Sequence, residues 1–391
     1  MIYLQIIFWV SFAALAHTYI IYPLLLKVLA STKLPSPRGR GSEGEGKISI
    51  LIPAYNEEKI IKQKLESIFN SDYPREKIEV IVGSDNSSDK TNDIVKSFPQ
   101  VQLVEFSGRN GKPKIINKLV TLAKNEILIL TDANVLFDKD TIRELAKHFS
   151  NSEIGLVDSH MQNINLQGGI SKAESTYIRG ESGIKSNEGK IFGMMMGPFG
   201  GCYAVRKSFY SPVPENFLVD DFYINMKVLE KGGKAISELN AKVYEEVPSD
   251  WKIEFKRKIR IATGSYQNYF AFLHLLFRFN ALSFCFLSHK LLRWKGPFLM
   301  IALYITNFIL IPSKYEFVRT YELRISFFEI FFLLQNLLLL LLAFDLLLAA
   351  LKISSPTRLV THFFTTNLAL LIGFFKFLGG VKSSVWTPTK R

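Results

Sequence analysis

Cysteine is scarce in this chain, with two copies, Cys202 and Cys285, among 391 residues. That pair builds neither a disulfide framework nor a metal-ligand cluster, and it fits a reducing compartment. The six histidines are scattered and suggest no metal site. Nucleic-acid patterning is missing as well. No stretch interleaves aromatic residues with arginine, although 48 Lys and Arg against 35 Asp and Glu leave a net charge of +13. Such an excess fits positive-inside anchoring at a membrane. The amino terminus lacks charge altogether. A cleaved signal peptide would open on basic residues and close on a small-residue cleavage site. Here Ile2 to Leu29 is apolar, interrupted by Gln5, Ser11, His17, Thr18 and Lys27, and the positive charge follows it at Lys27, Lys33, Arg38 and Arg40. That pattern predicts an anchor long enough for the ~30 Å hydrocarbon layer, with its carboxyl end in the cytoplasm.

What the chain has in excess is apolar surface. Hydrophobic residues make up 48%, more than one soluble core needs, and the surplus lies at the two ends. Pro35 to Gly46 reads as a Pro/Gly/charged linker. From Lys47 to about Tyr244, short β-branched runs alternate with helical patterns. Strands are expected at Ile48–Ile52, Ile78–Val82, Val101–Phe106 and Ile127–Leu130. Helices are expected at Glu57–Asn70, through Ile94 and Val95 behind an Asp89 cap, and at Lys114–Lys124 and Thr141–Phe149. Such alternation predicts a parallel sheet with crossover helices. Beyond Glu254 the chain turns basic, with Lys256, Arg257, Lys258 and Arg260 close together. Tyr269–Trp294 is apolar but punctuated by charge, as in a helix lying in the membrane interface. Gly296–Ile311, Ser326–Leu351 and Thr361–Leu378 are further membrane candidates. A simple four-span count would put the basic tail outside, so charge bias disfavours it and points to a re-entrant or interfacial last segment. Glu329 and Asp345 lie in one apolar segment without an obvious partner.

The chemistry concentrates in a series of acids. Asn56-Glu57-Glu58, Asp85 to Asp89 and Asp132-Ala133-Asn134 each follow an expected strand, and Asp220-Asp221 follows Phe217-Leu218-Val219. Acids at the carboxyl ends of parallel strands point into one crevice, and such a crevice suits a divalent metal holding a phosphorylated ligand. Tyr55 and Glu57 read as a nucleotide pocket or as a helix start with first-turn acids. Asp132 and Asn134, two apart at a strand end, can turn toward one Mg²⁺ or Mn²⁺, or can cap a turn. Adjacent Asp220 and Asp221 repel, which raises one pKa toward the range of a general base; a solvated helix start is the plainer reading. Gly200 and Gly201, in Gly197-Pro198-Phe199-Gly200-Gly201-Cys202, can bring backbone close to a ligand. Arg257 and Arg260 share a helical face that fits pyrophosphate or lipid headgroups. Lys112, in Gly108-Arg109-Asn110-Gly111-Lys112, is a phosphate contact or a loop lysine.

These motifs, in this order, resemble the family 2 glycosyltransferases, specifically bacterial membrane-bound members. The likeness runs from about Lys47 to Trp294 and resumes at Trp386-Thr387-Pro388-Thr389-Lys390-Arg391. Ile52-Pro53-Ala54-Tyr55-Asn56-Glu57-Glu58 looks like the family's uridine-binding strand end. Asp85 falls in the nucleotide-binding place of D-D-G-S-x-D-x-T, Asp132 on the first acid of D-x-D, and Asp221 on the catalytic base. Asn134 replaces the second acid. Arg260 survives from the Q-x-x-R-W of processive synthases, but the Gln and Trp do not, which argues against processivity.

The resemblance implies an α/β fold: a GT-A, Rossmann-like nucleotide-binding catalytic domain plus α-helical transmembrane segments. It divides the chain into an anchor (1–29), a linker (30–46), the GT-A domain (47–253), a basic interfacial region (254–294) and a C-terminal transmembrane region (295–391). The implied enzyme is an inverting, metal-dependent transferase at the bacterial inner membrane, multi-pass, with its catalytic domain in the cytoplasm. It would take a UDP-sugar donor, a glycan or lipid-linked acceptor, membrane lipid and Mg²⁺ or Mn²⁺, and no nucleic acid. Donor contacts are expected from Tyr55, Glu57, Asp85, Lys112, Asp132, Arg257 and Arg260. Acceptor contacts fall to Gly200 and Gly201, metal contacts to Asp132 and Asn134, and catalysis to Asp220 and Asp221. Transfer to polyprenyl phosphate, which needs no base, and a non-catalytic membrane scaffold are the alternatives.

Overall fold

The computed structural model describes residues 1–32, 46–164, 169–246, 251–311, 326–351, 353 and 357–385. The linker and the closing Trp386–Arg391 motif therefore lie outside the described residues, apart from Gly46. Four strands of the first half form as the apolar runs predict: β1 (Ile48–Ala54), β2 (Ile78–Ser84), β3 (Val101–Glu105) and β4 (Ile127–Thr131). All seven residues of β1 are buried, because both faces of the sheet are covered. Ile48, Ile50 and Ile52 face one core with Val80, Val82 and Ile129, while Leu51 faces the other with Ile81, Leu128 and Leu130. The period of two along each strand creates that split.

The second half departs from expectation. Strands β5 (Leu136–Phe137), β6 (Ile154–Ile164), β7 (Cys202–Arg206) and β8 (Lys234–Glu246) complete one sheet in the order β3-β2-β1-β4-β7-β6-β8-β5. It is mixed rather than parallel: β7 runs antiparallel to β4 and β6, and β5 antiparallel to β8. Polar and apolar residues are interspersed along β6 and β8, so neither shows the unbroken apolar run of a buried parallel strand. Chain order reverses across β1, with β2 on one side and β4 on the other. That is the switch point at which an open α/β sheet forms its crevice.

Ile2–Thr32, Phe327–Ala350 and Arg358–Leu378 are long and apolar enough to cross a membrane, and Gly296–Leu310 is a shorter apolar helix. The protein is therefore membrane-associated in make-up. Phe8 of the first helix packs with Leu303, Leu310, Phe328 and Phe331, which joins that helix to Gly296–Leu310 and Phe327–Ala350. Asp345 does have partners: Arg358 at 3.6 Å and the Thr361 hydroxyl. Glu329 accepts from Ser326 N at 2.7 Å, capping its own helix.

Tyr269–Trp294 is not one interfacial helix. The Trp251–Phe272 helix ends in a tight turn, Phe279 adopts a left-handed conformation at φ 48, and Asn280 and Ser283 cap a new helix reciprocally. That capping box is the local reason for the break. The expected Glu57–Asn70 helix likewise forms only over Ile61–Phe69, because Asn56 turns left-handed (φ 53) to accept from Ser88 N at 2.8 Å.

Candidate active site

Tyr55, Asp85 and Asp132 lie just past the ends of β1, β2 and β4, three neighbouring strands. Two loops are zipped together there. Glu57 N donates to Thr91 Oγ1 at 2.8 Å and Glu58 N to Asp89 at 3.1 Å, while Asp89 also accepts from Thr91 N at 3.0 Å. Asp89 thus serves the start of the Thr91–Lys96 helix, as its sequence position suggests.

Asp85 is fully buried, and both its oxygens are engaged. Asn110 N donates to one at 2.6 Å; Gly111 N (3.1 Å) and Arg109 Nε (3.2 Å) donate to the other. The Arg109 guanidinium stacks 3.2 Å over the Tyr55 ring. Asp85 therefore acts first as the post around which the Gly108–Lys112 loop is wound, and Arg109 and Tyr55 form the half-buried outer face of that assembly. Arg109 was a residue that sequence reasoning passed over; its position between two glycines in a basic loop was the available signal. Gly111 has φ 87, and a side chain there would meet Ser384, so the described end of the C-terminal segment lies against this loop.

The turn then delivers Lys112. Its ammonium sits 2.8 Å from Asp132 and 3.7 Å from Asp220. Burial alone would lower its pKa, but Asp132 and Asp220 outweigh that and keep it charged. Asp220 and Asp221 open the Asp220–Glu230 helix, so the helix-start reading is structurally right, yet Asp220 is only 6% exposed rather than solvated. Burial, and next the Asp220 charge, push the Asp221 carboxyl up to about 6. The acids of β4 and of this helix are thus bridged by one lysine.

Asn134 is turned to a partner that sequence spacing could not reveal. Its Nδ2 donates to Glu245 Oε1 at 2.9 Å, from the end of β8. Arg257 lies 4.0 Å from Glu245 and 3.5 Å from Glu254, whereas Arg260 is within the field of Asp220, Asp132 and Asp221. Behind the Asp132–Asn134 turn, fully buried Lys64 donates to Thr131 Oγ1 at 2.9 Å and to Val135 O, bracketing the turn; burial pushes its pKa down to about 7.

Gly200 has φ 86, and a Cβ there would lie 2.6 Å from Asp221 Oδ2. Its backbone therefore lies directly against that carboxylate. Gly201 instead faces β4: its carbonyl accepts from Asp132 N at 2.9 Å. Among the described residues no group of three or more His, Cys, Asp or Glu is arranged to hold a metal by protein ligands alone.

Comparison with known proteins agrees with this geometry. Residues 49–211 match the model of glycosyl transferase family 2. A probable glycosyltransferase of Bacillus subtilis, YdaM, is 27% identical over 248 residues, covering 59% of this chain and 58% of that protein. The poly(ribitol-phosphate) β-N-acetylglucosaminyltransferase TarS of Staphylococcus aureus is 30% identical over 128 residues, 31% of this chain and 22% of its own. The chain thus spans little more than half of the first relative and under a quarter of the second. In fold, the chain is similar to the mannosyltransferase PcManGT of Pyrobaculum calidifontis, solved with GDP-Man and Mn²⁺. That likeness has a TM-score of 0.69 at 21% identity, over 96% of this chain and 99% of the other. The motifs, the switch-point crevice and the family match together mark residues 49–211 as a region similar to glycosyl transferase family 2, with a GT-A-like fold.

Proposed function

We propose that the protein transfers a sugar, with inversion, from a nucleotide-sugar donor to a glycan or lipid-linked acceptor at the inner membrane. What chiefly supports this reading is Lys112, 2.8 Å from Asp132 and 3.7 Å from Asp220. It joins the donor-side acid to the acid pair, so a donor phosphate and an acceptor hydroxyl would meet in one crevice. The nucleoside would lie along Tyr55, Glu57 and the Asp85–Arg109 assembly, a UDP-linked donor being the first expectation. Lys112 and Arg260 would take the diphosphate charge.

Asp221 would remove the proton of the acceptor hydroxyl. The freed oxygen bonds to the anomeric carbon as the bond to the diphosphate breaks, and the electron pair leaves with the diphosphate. Attack from the opposite face turns an α-linked donor into a β-linkage. A carboxyl near 6 suits that task at neutral pH: it is ionised, yet more basic than a solvated aspartate. Gly200 and Gly201 would line the acceptor side.

A divalent cation fits this site. Mg²⁺ and Mn²⁺ need only one or two carboxylates when phosphate oxygens and water supply the rest. Asp132 is 36% exposed, and buried Asp220 Oδ2 has no hydrogen bond. Asp132 would hold the ion, with the Asn134 amide beside it, and the ion would supply positive charge to the departing diphosphate. The domain division 1–29, 30–46, 47–253, 254–294 and 295–391, with a multi-pass chain and a cytoplasmic catalytic domain, belongs to the same proposal.

The test is donor turnover by the detergent-purified protein across a panel of UDP- and GDP-sugars with Mn²⁺ or Mg²⁺. Metal-dependent release of nucleoside diphosphate from one donor, lost in Asp132→Ala and Asp221→Asn, is the expected result. No binding or turnover of any donor would overturn the reading.

A further inference from the structure

The loop that faces Asp221 is held by groups that the transfer chemistry does not use. Asn225, one turn beyond Asp221 on its helix, donates to Met195 O at 2.9 Å. Glu188 accepts from Met196 N at 3.0 Å, and Asp158 accepts from Phe199 N at 3.4 Å. Gly197 lies against the Phe222 ring, and Gly200 against the Asp221 carboxylate. Five successive contacts thus fix the backbone from Met195 to Gly200.

Glu188 reaches further. Its other oxygen accepts from Tyr22 Oη at 2.8 Å and lies 2.8 Å from His289 Nδ1. Tyr22 belongs to the Ile2–Thr32 membrane-span candidate, and Tyr22, Glu188 and His289 are all completely buried. His289 Nε2 contacts Glu181 at 2.8 Å, so the imidazole lies between two carboxylates and donates to both when protonated. Glu181 in turn binds Lys290 at 2.6 Å and Arg293 at 2.7 Å. The charges of this cluster offset one another, which makes its burial tolerable.

The backbone at this junction is unusual on both sides. His17–Ile21 and Phe286–Leu291 are each widened π-helical turns, and they meet: Thr18 Oγ1 donates to Ser288 O at 2.7 Å, and His17 Nε2 lies 2.8 Å from Ser288 Oγ. Widened turns expose carbonyls that a regular helix keeps for itself.

We propose that Glu188 is a positioning residue: it couples the N-terminal membrane helix, through Tyr22, to the loop that sets Gly200 against Asp221. The proposal rests on the reading of Asp221 as the base. Through this junction, seating of the first helix determines where the acceptor-side backbone stands, while the donor loops after β1 and β2 are held by each other and by residues 109–111.

Two variants of the full-length protein test it, Glu188→Gln and the milder Tyr22→Phe. Amide hydrogen exchange of the 194–201 segment is the first readout, and donor turnover with the sugar nucleotide selected by the panel is the second. Both variants are expected to exchange about tenfold faster in that segment, with β1, β2 and β4 unchanged. Turnover should fall by up to about 10²-fold while the donor KM stays within about twofold, as for a displaced but intact base. Unchanged exchange in 194–201, or loosening that spreads over the whole sheet, overturns the coupling. Local loosening with undiminished turnover overturns the positioning role. A wild-type protein silent on every donor would instead sink the reading of the base, and the exchange result would still stand as a test of the junction.

Discussion

The proposed donor side and the proposed acceptor side of the crevice are built by different means. On the donor side, Tyr55, Asp85 and Asp132 are delivered by the ends of adjacent parallel strands, and Asp85, Glu57 and Glu58 take their supports from neighbouring loops. Asp85 is bound by residues 109–111, and Glu57 and Glu58 by residues 89–91. On the acceptor side, Asp221 stands at a helix start whose approach is held by distant side chains. Gln267 accepts from Leu218 N at 3.0 Å, Asn268 donates to Val219 O at 3.0 Å, and Glu188 ties in Tyr22 and His289. Strand register places the acids of the proposed donor side; packing against the Trp251–Phe272 helix places the proposed base. Substitutions on the donor side should therefore weaken donor binding, and those on the acceptor side should lower turnover.

The largest effect expected is that of Asp221→Asn. Loss of a general base costs about 10²–10⁴-fold in kcat, with donor affinity retained. The wild-type rate should rise with pH through about 6 and level off above it, since the base works deprotonated. Stability has the opposite sign. The folded-state pKa is raised, so the group's contribution is present at low pH and lost as pH rises through about 6. The Asn variant should therefore melt higher than wild type above pH 6, by about 2–4 °C for each kcal/mol recovered. An unchanged rate would show that the acceptor is already ionised, as a polyprenyl phosphate would be.

Gly200→Ala comes next and probes the same side without touching an acid. A side chain at φ 86 is strained, and its Cβ would lie 2.6 Å from Asp221 Oδ2. A displaced base should cost roughly 10- to 10²-fold in kcat, with donor KM unchanged. If donor KM rose instead, the two halves would not be separable.

Arg109→Ala sharpens the contrast from the donor side. It removes the cation stacked on Tyr55 and one of the hydrogen bonds to Asp85. Donor Kd should weaken about tenfold, or ~1.4 kcal/mol, while kcat at saturating donor holds. Calorimetry with UDP and Mn²⁺ separates this from a loss of fold.

The same division explains what the sequence made legible. Ile48–Ile52, Ile78–Val82 and Ile127–Leu130 announce buried strands by composition alone, and the acids behind them inherit their place from the sheet. β6 and β8 carry polar residues among their apolar ones, and β7 runs antiparallel between β4 and β6, so neither their existence nor the mixed topology was readable. Glu245, Glu188 and Lys64 were invisible for a further reason. Each acts on a residue far away in the chain, Glu188 on Tyr22, and no local spacing records such a pairing.

Asn134 tests how far a motif can be trusted against its surroundings, and its expected effect on ligand binding is the smallest. Restoring an acid by Asn134→Asp would complete the D-x-D pattern, and on motif grounds alone it should tighten metal binding. The side chain, however, donates to Glu245 Oε1 at 2.9 Å and is only 9% exposed. A carboxylate cannot donate that bond, and it would place like charges in contact, where one of the two must take up a proton or move. The variant should lose about 1–3 kcal/mol of stability, because a hydrogen bond to a charged group gives way to repulsion between two carboxylates. Its metal affinity by Mn²⁺ titration should not improve at neutral pH. Asn134→Asp combined with Glu245→Gln should recover the lost stability, because Gln restores a donor opposite the new acid. Tighter Mn²⁺ binding in the single variant would mean that Glu245 yields to the metal, and the donor side would then depend on a remote strand after all.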